Sequence, residues 1–408
     1  MPEFIQNAGR ELPFVLLLLA LLGYRWKVTP RVSLFIRAPM EKIFPLLDFR
    51  EGEEQRWQRT RVDCRLIDAT TQTYRLTFIT ALSTGAVQSS SAEFRMAERV
   101  PPRLIDIRRS GLDGQSLNNQ LLRMLGELVP EGNGTRLKLT YEWGPRPLLA
   151  QLLARADLWG SAYRLKGVAE TGVPDYRTDH LISAAVAAAT GIVTLGTFAF
   201  AFGWVISFML LAALLIHEFG HLLAYRLIGQ PWGRMVFLPF LGAIALPRLG
   251  FTTQGQSVFA AIMGPGFSII VPILAAAYVY FLPQRPSPDL ALMIGLVAAA
   301  LNLFNLLPVE PLDGGVILRS VLARLLGPGA RFGLVAVGLA IVIAGWYAEQ
   351  VLLIIFGGLA VLANIRTRTI DPGLEPLSRL QVVFSAFGFM SVLAAYAVLM
   401  RFFLARLG

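Results

Sequence analysis

Two histidines and a glutamate interrupt one of the most apolar stretches of this chain: His217, Glu218, Phe219, Gly220 and His221 lie within the run 204–228. Ionisable residues in such a run are costly to bury and mark functional sites. Residues four apart share a helix face, so His217 and His221 can present both imidazoles to one metal ion with Glu218 beside them. The pattern is that of zinc-hydrolase chemistry within a bilayer. The chain has three histidines and one cysteine, Cys64. No intramolecular disulfide can form, the metal needs nitrogen and oxygen donors unless that thiol is recruited, and multi-histidine di-iron chemistry lacks its ligands.

Two histidines do not complete such a site. Asp313 is the candidate for a third ligand, in the segment Asn305, Leu306, Leu307, Pro308, Val309, Glu310, Pro311, Leu312, Asp313, Gly314, Gly315. Its prolines and glycines break the helix, and non-helical backbone at membrane depth is tolerated where it is buried in protein or lines a wet cavity. Glu310 competes for the same role, and Asp313 alone would also serve as the helix cap of a segment starting at Val316. Asn302 and Asn305 are three apart on one helix face. They either donate hydrogen bonds to substrate or a developing oxyanion, or bond neighbouring helices.

The elements that must position these residues are read from hydropathy. At 55% hydrophobic and 16% charged residues, with a mean hydropathy of +0.56, the 408-residue chain is too apolar for an ordinary soluble protein. The net charge of +10 is accounted for by Arg and Lys gathered on one membrane side, and nucleic acid is not an expected partner. Apolar segments fall at 12–24, 181–201, 204–228, 256–282, 290–307, 332–347, 351–365 and 380–404, which makes about eight spans. Three parts are expected: an N-terminal anchor over 1–28, a soluble domain over 29–179 and a membrane domain over 180–408. Arg226, Arg234, Arg319, Arg324, Arg366 and Arg368 fall on one side of the spans, while the opposite loops carry only Arg285. The positive-inside rule therefore places the soluble domain and the C-terminal end of the histidine helix in the cytoplasm and both termini outside. His180 reads as an interfacial side chain, and Arg108 with Arg109 as part of a solvated face.

Residues 29–179 carry frequent charges and no stretch long enough to span a membrane. Strands are predicted over 32–36, around Tyr74, Leu76 and Phe78, and at Leu137, Leu139, Tyr141 and Trp143 after a turn at Gly132, Asn133 and Gly134. A short helix is predicted over 39–47. A long one is predicted from Pro147 to Glu170, with Leu148, Leu152, Leu153 and Trp159 available to cover a sheet. The order strand, short helix, antiparallel strands, long helix resembles the START-like, polyketide-cyclase-like family of helix-grip α+β domains. That resemblance implies an apolar ligand held under the long helix; a regulatory or docking domain with a filled core, taking a regulatory protein as partner, is the other reading. The apolar segment 235–247, broken by Pro239, Gly242 and Pro247, predicts a re-entrant strand or hairpin whose edge could hold an unwound substrate.

The H-E-F-G-H motif at 217–221, Gly264-Pro265-Gly266, and the N-x-x-P then L-D-G-G segment at 305–315 occur in one order. Together they resemble the site-2 protease family of intramembrane zinc metalloproteases. The resemblance implies one zinc ion per chain held by His217, His221 and Asp313, with Glu218 as catalytic base. It also implies hydrolysis of peptide bonds in or near the transmembrane segments of membrane-anchored substrates, in a bacterial-type cytoplasmic membrane. Ser268 stands where the family often has Asn, and Glu310 where it commonly has Pro. A non-catalytic membrane sensor or lipid-binding scaffold that keeps the fold is the alternative.

Overall fold

The computed structural model describes residues 25–52, 61–85, 87–111, 120–239, 242–282, 288–308, 312–366 and 374–407. The predicted anchor segment 12–24 and Glu310 lie outside them. Two compact units are present, one within Pro13–Val186 and the other made mainly of Ala187–Gly408.

In the first unit β1 (Arg25–Val28), β2 (Arg31–Ile36) and α1 (Met40–Leu47) come first. Next are β3 (Arg61–Asp68), β4 (Thr73–Ala81), β5 (Val87–Val100), β6 (Leu104–Arg109), β7 (Leu121–Glu131), β8 (Gly134–Pro147) and α2 (Leu148–Thr171). The strands form one antiparallel sheet in the order β1-β8-β7-β6-β5-β4-β3, with β2 also paired to β8. The predicted turn is a two-residue hairpin connection, with Glu131 opposite Gly134. On β8 the alternation works as expected: Leu137 and Leu139 are buried and Lys138 is exposed. Arg25–Val28, assigned by sequence to the end of the anchor, instead form β1, paired through Arg25 with Pro147 and Val28 with Trp143.

Both helices cover one face of this sheet, where Ile43, Phe44 and Leu47 of α1 share a core with Ile36, Ile105 and Leu137. The face that α2 buries differs from the predicted one. Leu152 and Trp159 are more than a third exposed, whereas Leu158, Ala162, Leu165 and Ala169 are fully buried. Small alanines let the helix approach the sheet while the two leucines fill the gaps between strands; Trp159 stacks on Tyr163 instead, at 6.1 Å between ring centroids. The void lined by Phe49, Tyr74, Leu76, Phe94, Met96 and Ile107 measures about 10 Å³, the space of one water molecule.

In the second unit the apolar segments read as spans are helical over nearly all their described residues. α3 (Tyr176–Phe202) and α4 (Trp204–Leu227) are followed by the hairpin β9 (Arg234–Leu238) and β10 (Gly242–Leu246). Then come α5 (Gln254–Ser268), α6 (Ile270–Phe281), α7 (Pro288–Asn305), α8 (Asp313–Leu326), α9 (Ala330–Tyr347), α10 (Val351–Arg366) and α11 (Arg379–Leu407). The broken segment is thus a two-stranded antiparallel hairpin, with Gly242 opposite Leu238. Among the described residues, five helical stretches are long and apolar enough to cross a membrane, while Asp289–Asn305 and Leu353–Leu362 are apolar but shorter. The five answer to the length of about 20 residues that a straight crossing needs, and the predicted span 12–24 lies outside the described residues. Phe200, Phe281, Tyr347, Phe387 and Val398 stand largely exposed on these helices, a surface suited to lipid. The chain is a membrane protein.

Burial in the sheet domain pushes the Cys64 thiol from its ordinary value near 9 up to about 11, with nearby Glu51, Asp63 and Asp48 acting in the same direction. The folded domain therefore keeps this proton where the unfolded chain has released it, so its stability is expected to fall as pH rises from 9 towards 11. At pH 8 a thiol reagent should label Cys64 at least about a hundredfold more slowly than in denaturant, since only the exposed thiolate reacts. Leu165→Ala, expected to cost about 2–5 kcal/mol, should speed that labelling markedly. Leu152→Ala should leave it within twofold.

Candidate metal centre

His217, Glu218 and His221 occupy consecutive turns of α4 and all are buried. Their approach to Asp313 depends on two glycines. A Cβ on Gly314 would collide with the Leu306 and Leu307 carbonyls, so only glycine lets α8 start against the end of α7. Asp313 is the first residue of α8. The N-cap position is Leu312, which makes no side-chain capping bond, so Asp313 is not the cap that its sequence position allowed. On the other side, a Cβ on Gly264 of α5 would run into the His221 ring and come within 3.0 Å of His217 Nε2.

Three donor atoms meet in the space so formed. His217 Nε2 lies 3.1 Å from His221 Nε2 and 3.1 Å from Asp313 Oδ2, and His221 Nε2 lies 3.5 Å from the same oxygen. The opposite ring nitrogens are both engaged: His217 Nδ1 with Asn302 Oδ1 at 2.8 Å and His221 Nδ1 with the Ala260 carbonyl at 2.8 Å. The Asn302 amide donates through Nδ2 to the Ala298 carbonyl, which leaves Oδ1 facing the imidazole. Both partners accept only, so each Nδ1 carries the hydrogen and each Nε2 presents a lone pair.

Two lone pairs and a carboxylate oxygen thus face one another, and Asp313 Oδ2 and Glu218 Oε2 are buried without a hydrogen-bond partner among the described residues. Buried acceptors held this way repel unless a cation lies between them. The separations of 3.1, 3.1 and 3.5 Å lie close to those of a tetrahedral zinc site with bonds of about 2.0–2.2 Å, whose ligands stand about 3.3–3.6 Å apart. The donor set therefore fits zinc: His217, His221 and Asp313 would hold it and leave a fourth position open, the arrangement of catalytic rather than structural sites. His217, Glu218 and His221 can also offer atoms within 4.8 Å of one another, so Glu218 lies at the same centre.

Of the sequence-predicted residues, Asn302 is brought to the centre, but it faces His217 rather than an open cleft and is fully buried. Asn305 Nδ2 donates to the Leu301 carbonyl of its own helix. Sequence reasoning did not single out Ala260, whose carbonyl orients His221, or Tyr396, which lies in a buried polar cluster with Ser268. A carbonyl leaves no sequence signal. Tyr396 could have been noticed as the one tyrosine of the mainly apolar α11.

Metal analysis of the purified protein tests the fit. Gly264→Ala is expected to lose bound zinc because the added methyl fills the space between the imidazoles. Gly266→Ala, whose Cβ would meet only Ile262 at 3.9 Å, should retain it.

No family model matches the chain. A Synechocystis protein whose name assigns it provisionally to the zinc metalloproteases is 32% identical over 127 residues, 31% of this chain and 33% of its own length. Rip3 of Mycobacterium tuberculosis, provisionally named in the same way, is 32% identical over 167 residues, 36% of this chain and 42% of its own. The chain thus spans well under half of these curated relatives. Among solved structures, the site-2 protease of Methanocaldococcus jannaschii is 21% identical and covers 46% of this chain and 90% of its own, with a TM-score of 0.31. Over about a third of its length, this chain is a relative of proteins named as zinc metalloproteases, and its motifs resemble those of the site-2 protease family.

Proposed function

We propose that this protein is an intramembrane zinc endopeptidase that hydrolyses peptide bonds in or near the transmembrane segments of membrane-anchored proteins. The observation that carries the reading is the convergence of His217 Nε2, His221 Nε2 and Asp313 Oδ2 within 3.5 Å, inside an apolar helical unit. Zinc bound there would supply Lewis acidity towards a peptide carbonyl and lower the pKa of water.

The chain's own residues do the rest. Glu218, with a buried carboxylate oxygen that has no partner among the described residues, takes the proton of the attacking water and returns it to the leaving amine. Asn302 and the Ala260 carbonyl hold the imidazoles through both turns of α4. A substrate helix has its peptide groups locked in its own hydrogen bonds and must open before attack. The hairpin of β9 and β10 supports strand addition as the way an opened segment is held. It is tied to the site helix by the Tyr225 hydroxyl, which donates to the Ala245 carbonyl at 3.1 Å.

The arginine pattern supports a cytoplasmic soluble domain and a site nearer that face. The strand and helix order of the sheet domain, with two helices on one face, supports a START-like helix-grip fold. That domain is assigned to docking a regulatory protein, with an apolar ligand held under its long helix as the other reading.

Glu218→Gln is expected to retain zinc and lose cleavage by at least about a hundredfold; full activity in that variant overturns the protease reading. Asp313→Asn should lose both metal and activity. Retention of both there, with loss of both in Glu310→Gln, moves the ligand role to Glu310. Photocrosslinkers at Val236, Ile244 and Leu246 in the Glu218→Gln background should capture a membrane-anchored substrate. If crosslinkers along the hairpin capture none while the same protein cleaves it with Glu218 restored, strand addition is wrong.

A further inference from the structure

The cluster of Tyr396, Ser268 and Asn302 goes beyond the metal ligands and joins the last helix of the chain to one of them. Tyr396, on α11, is fully buried. Its hydroxyl donates to the Pro265 carbonyl at 2.8 Å and lies 3.1 Å from Ser268 Oγ. Pro265 sits in the last turn of α5, just before the helix breaks at Ile269, where backbone carbonyls lose their own helical partners. Ser268 Oγ is 2.7 Å from Asn302 Oδ1, 3.0 Å from the Gly264 carbonyl and 3.3 Å from the Pro265 carbonyl. Asn302 Oδ1 in turn faces His217 Nδ1 at 2.8 Å.

Proton counting gives this cluster a direction. Ser268 has one hydroxyl hydrogen and several acceptors to choose from. The Tyr396 hydroxyl occupies the Pro265 carbonyl, and the shortest remaining contact of Ser268 is to Asn302. With its Nδ2 held by the Ala298 carbonyl, Asn302 cannot flip, so its oxygen receives hydrogens from both Ser268 and His217. An acceptor on one ring nitrogen fixes tautomer and ring orientation for the other, and partners of this kind set metal affinity.

We propose that Tyr396 and Ser268 are positioning residues of the metal centre, acting on His217 through Asn302, so that the C-terminal helix α11 is a structural part of the site. This inference rests on the assignment of His217, His221 and Asp313 as metal ligands.

The test uses the full-length protein in detergent, with zinc affinity measured by chelator competition and the ligand field read from visible absorption of the cobalt(II)-loaded protein. Asn302→Ala is expected to weaken zinc binding by about 10–100-fold, Ser268→Ala by about tenfold and Tyr396→Phe by a smaller factor. Both Ser268→Ala and Tyr396→Phe should shift the cobalt bands, which a loss of stability alone would not do. Ser268→Thr, which keeps the hydroxyl, should restore the bands and the affinity. The double variant Ser268→Ala with Tyr396→Phe should bind zinc no more weakly than Ser268→Ala alone, because the tyrosine acts through the serine.

Unchanged affinity and cobalt bands in both single variants, with binding abolished in Asp313→Ala, overturn the relay and leave the ligand assignment standing. Additive losses in the double variant overturn the route through Ser268. Undiminished binding in both His217→Ala and Asp313→Ala overturns the ligand assignment, and the relay falls with it. If Ser268→Ala does not fold, Tyr396→Phe and Ser268→Thr decide the matter, since each preserves the volume of the site or adds only a methyl group.

Discussion

The membrane unit is organised around two hydrogen bonds that do not themselves touch a metal. Asn302 Oδ1 and the Ala260 carbonyl each hold an Nδ1 hydrogen, one on each imidazole of α4. Once those hydrogens are committed, both Nε2 atoms must present lone pairs, and they do so towards each other and towards a carboxylate. Three buried acceptors at such separations are unfavourable by themselves. Their arrangement is intelligible as the coordination shell of a cation, and hydrogen-bond acceptors on the far ring nitrogens are the usual way that histidine ligands are aimed.

This requirement explains why the surrounding helices pack as they do. The carbonyl that orients His221 belongs to α5, and the amide that orients His217 belongs to α7, so both helices must lie close against α4. Gly264 is the price of the first approach, because any Cβ there would occupy the space between the rings. Gly314 plays the same part at the start of α8, whose first residue must reach the imidazoles past the backbone of Leu306 and Leu307. Small residues at helix contacts are a general feature of membrane bundles, where van der Waals packing rather than water exclusion drives association. Here the same device serves to bring polar groups from four helices into contact.

Much of this was legible in the sequence, and the limits have physical causes. The spacing of His217 and His221 fixes their common helix face whatever the tertiary structure, and the broken segment before Asp313 marks backbone that must be buried in protein. Apolar run length likewise located the helices beyond residue 180, and alternation located β8. Periodicity does not say which neighbour a face meets. Leu152 and Trp159 look suited to cover the sheet, but close approach favours Ala162 and Ala169, which alternate with Leu158 and Leu165. Arg25, Trp26 and Lys27 looked like a membrane flank because their charges are visible, whereas their pairing with β8 depends on residues more than a hundred positions away. Asn302 is legible as a hydrogen-bonding residue on the helix face it shares with Asn305, meeting either substrate or a neighbouring helix. That it faces His217 follows only from how α7 lies against α4.

A site assembled from separate helices has an energetic consequence that a site on one helix lacks. His217 and His221 share one face of α4, but Asp313 is supplied by α8, after a connection that carries Pro308 and Pro311. An ion bound by all three donors favours the arrangement in which α8 starts beside α4 over arrangements in which it does not. It therefore stabilises that packing in proportion to the difference in affinity. The same linkage runs in reverse: whatever holds α8, α7 and α5 in register around α4 raises metal affinity, because less ordering remains to be done on binding. The buried hydrogen bonds at His217 and His221 and the close contacts at Gly264 and Gly314 are therefore contributions to one equilibrium. Helix packing and metal binding at this centre cannot be tuned independently.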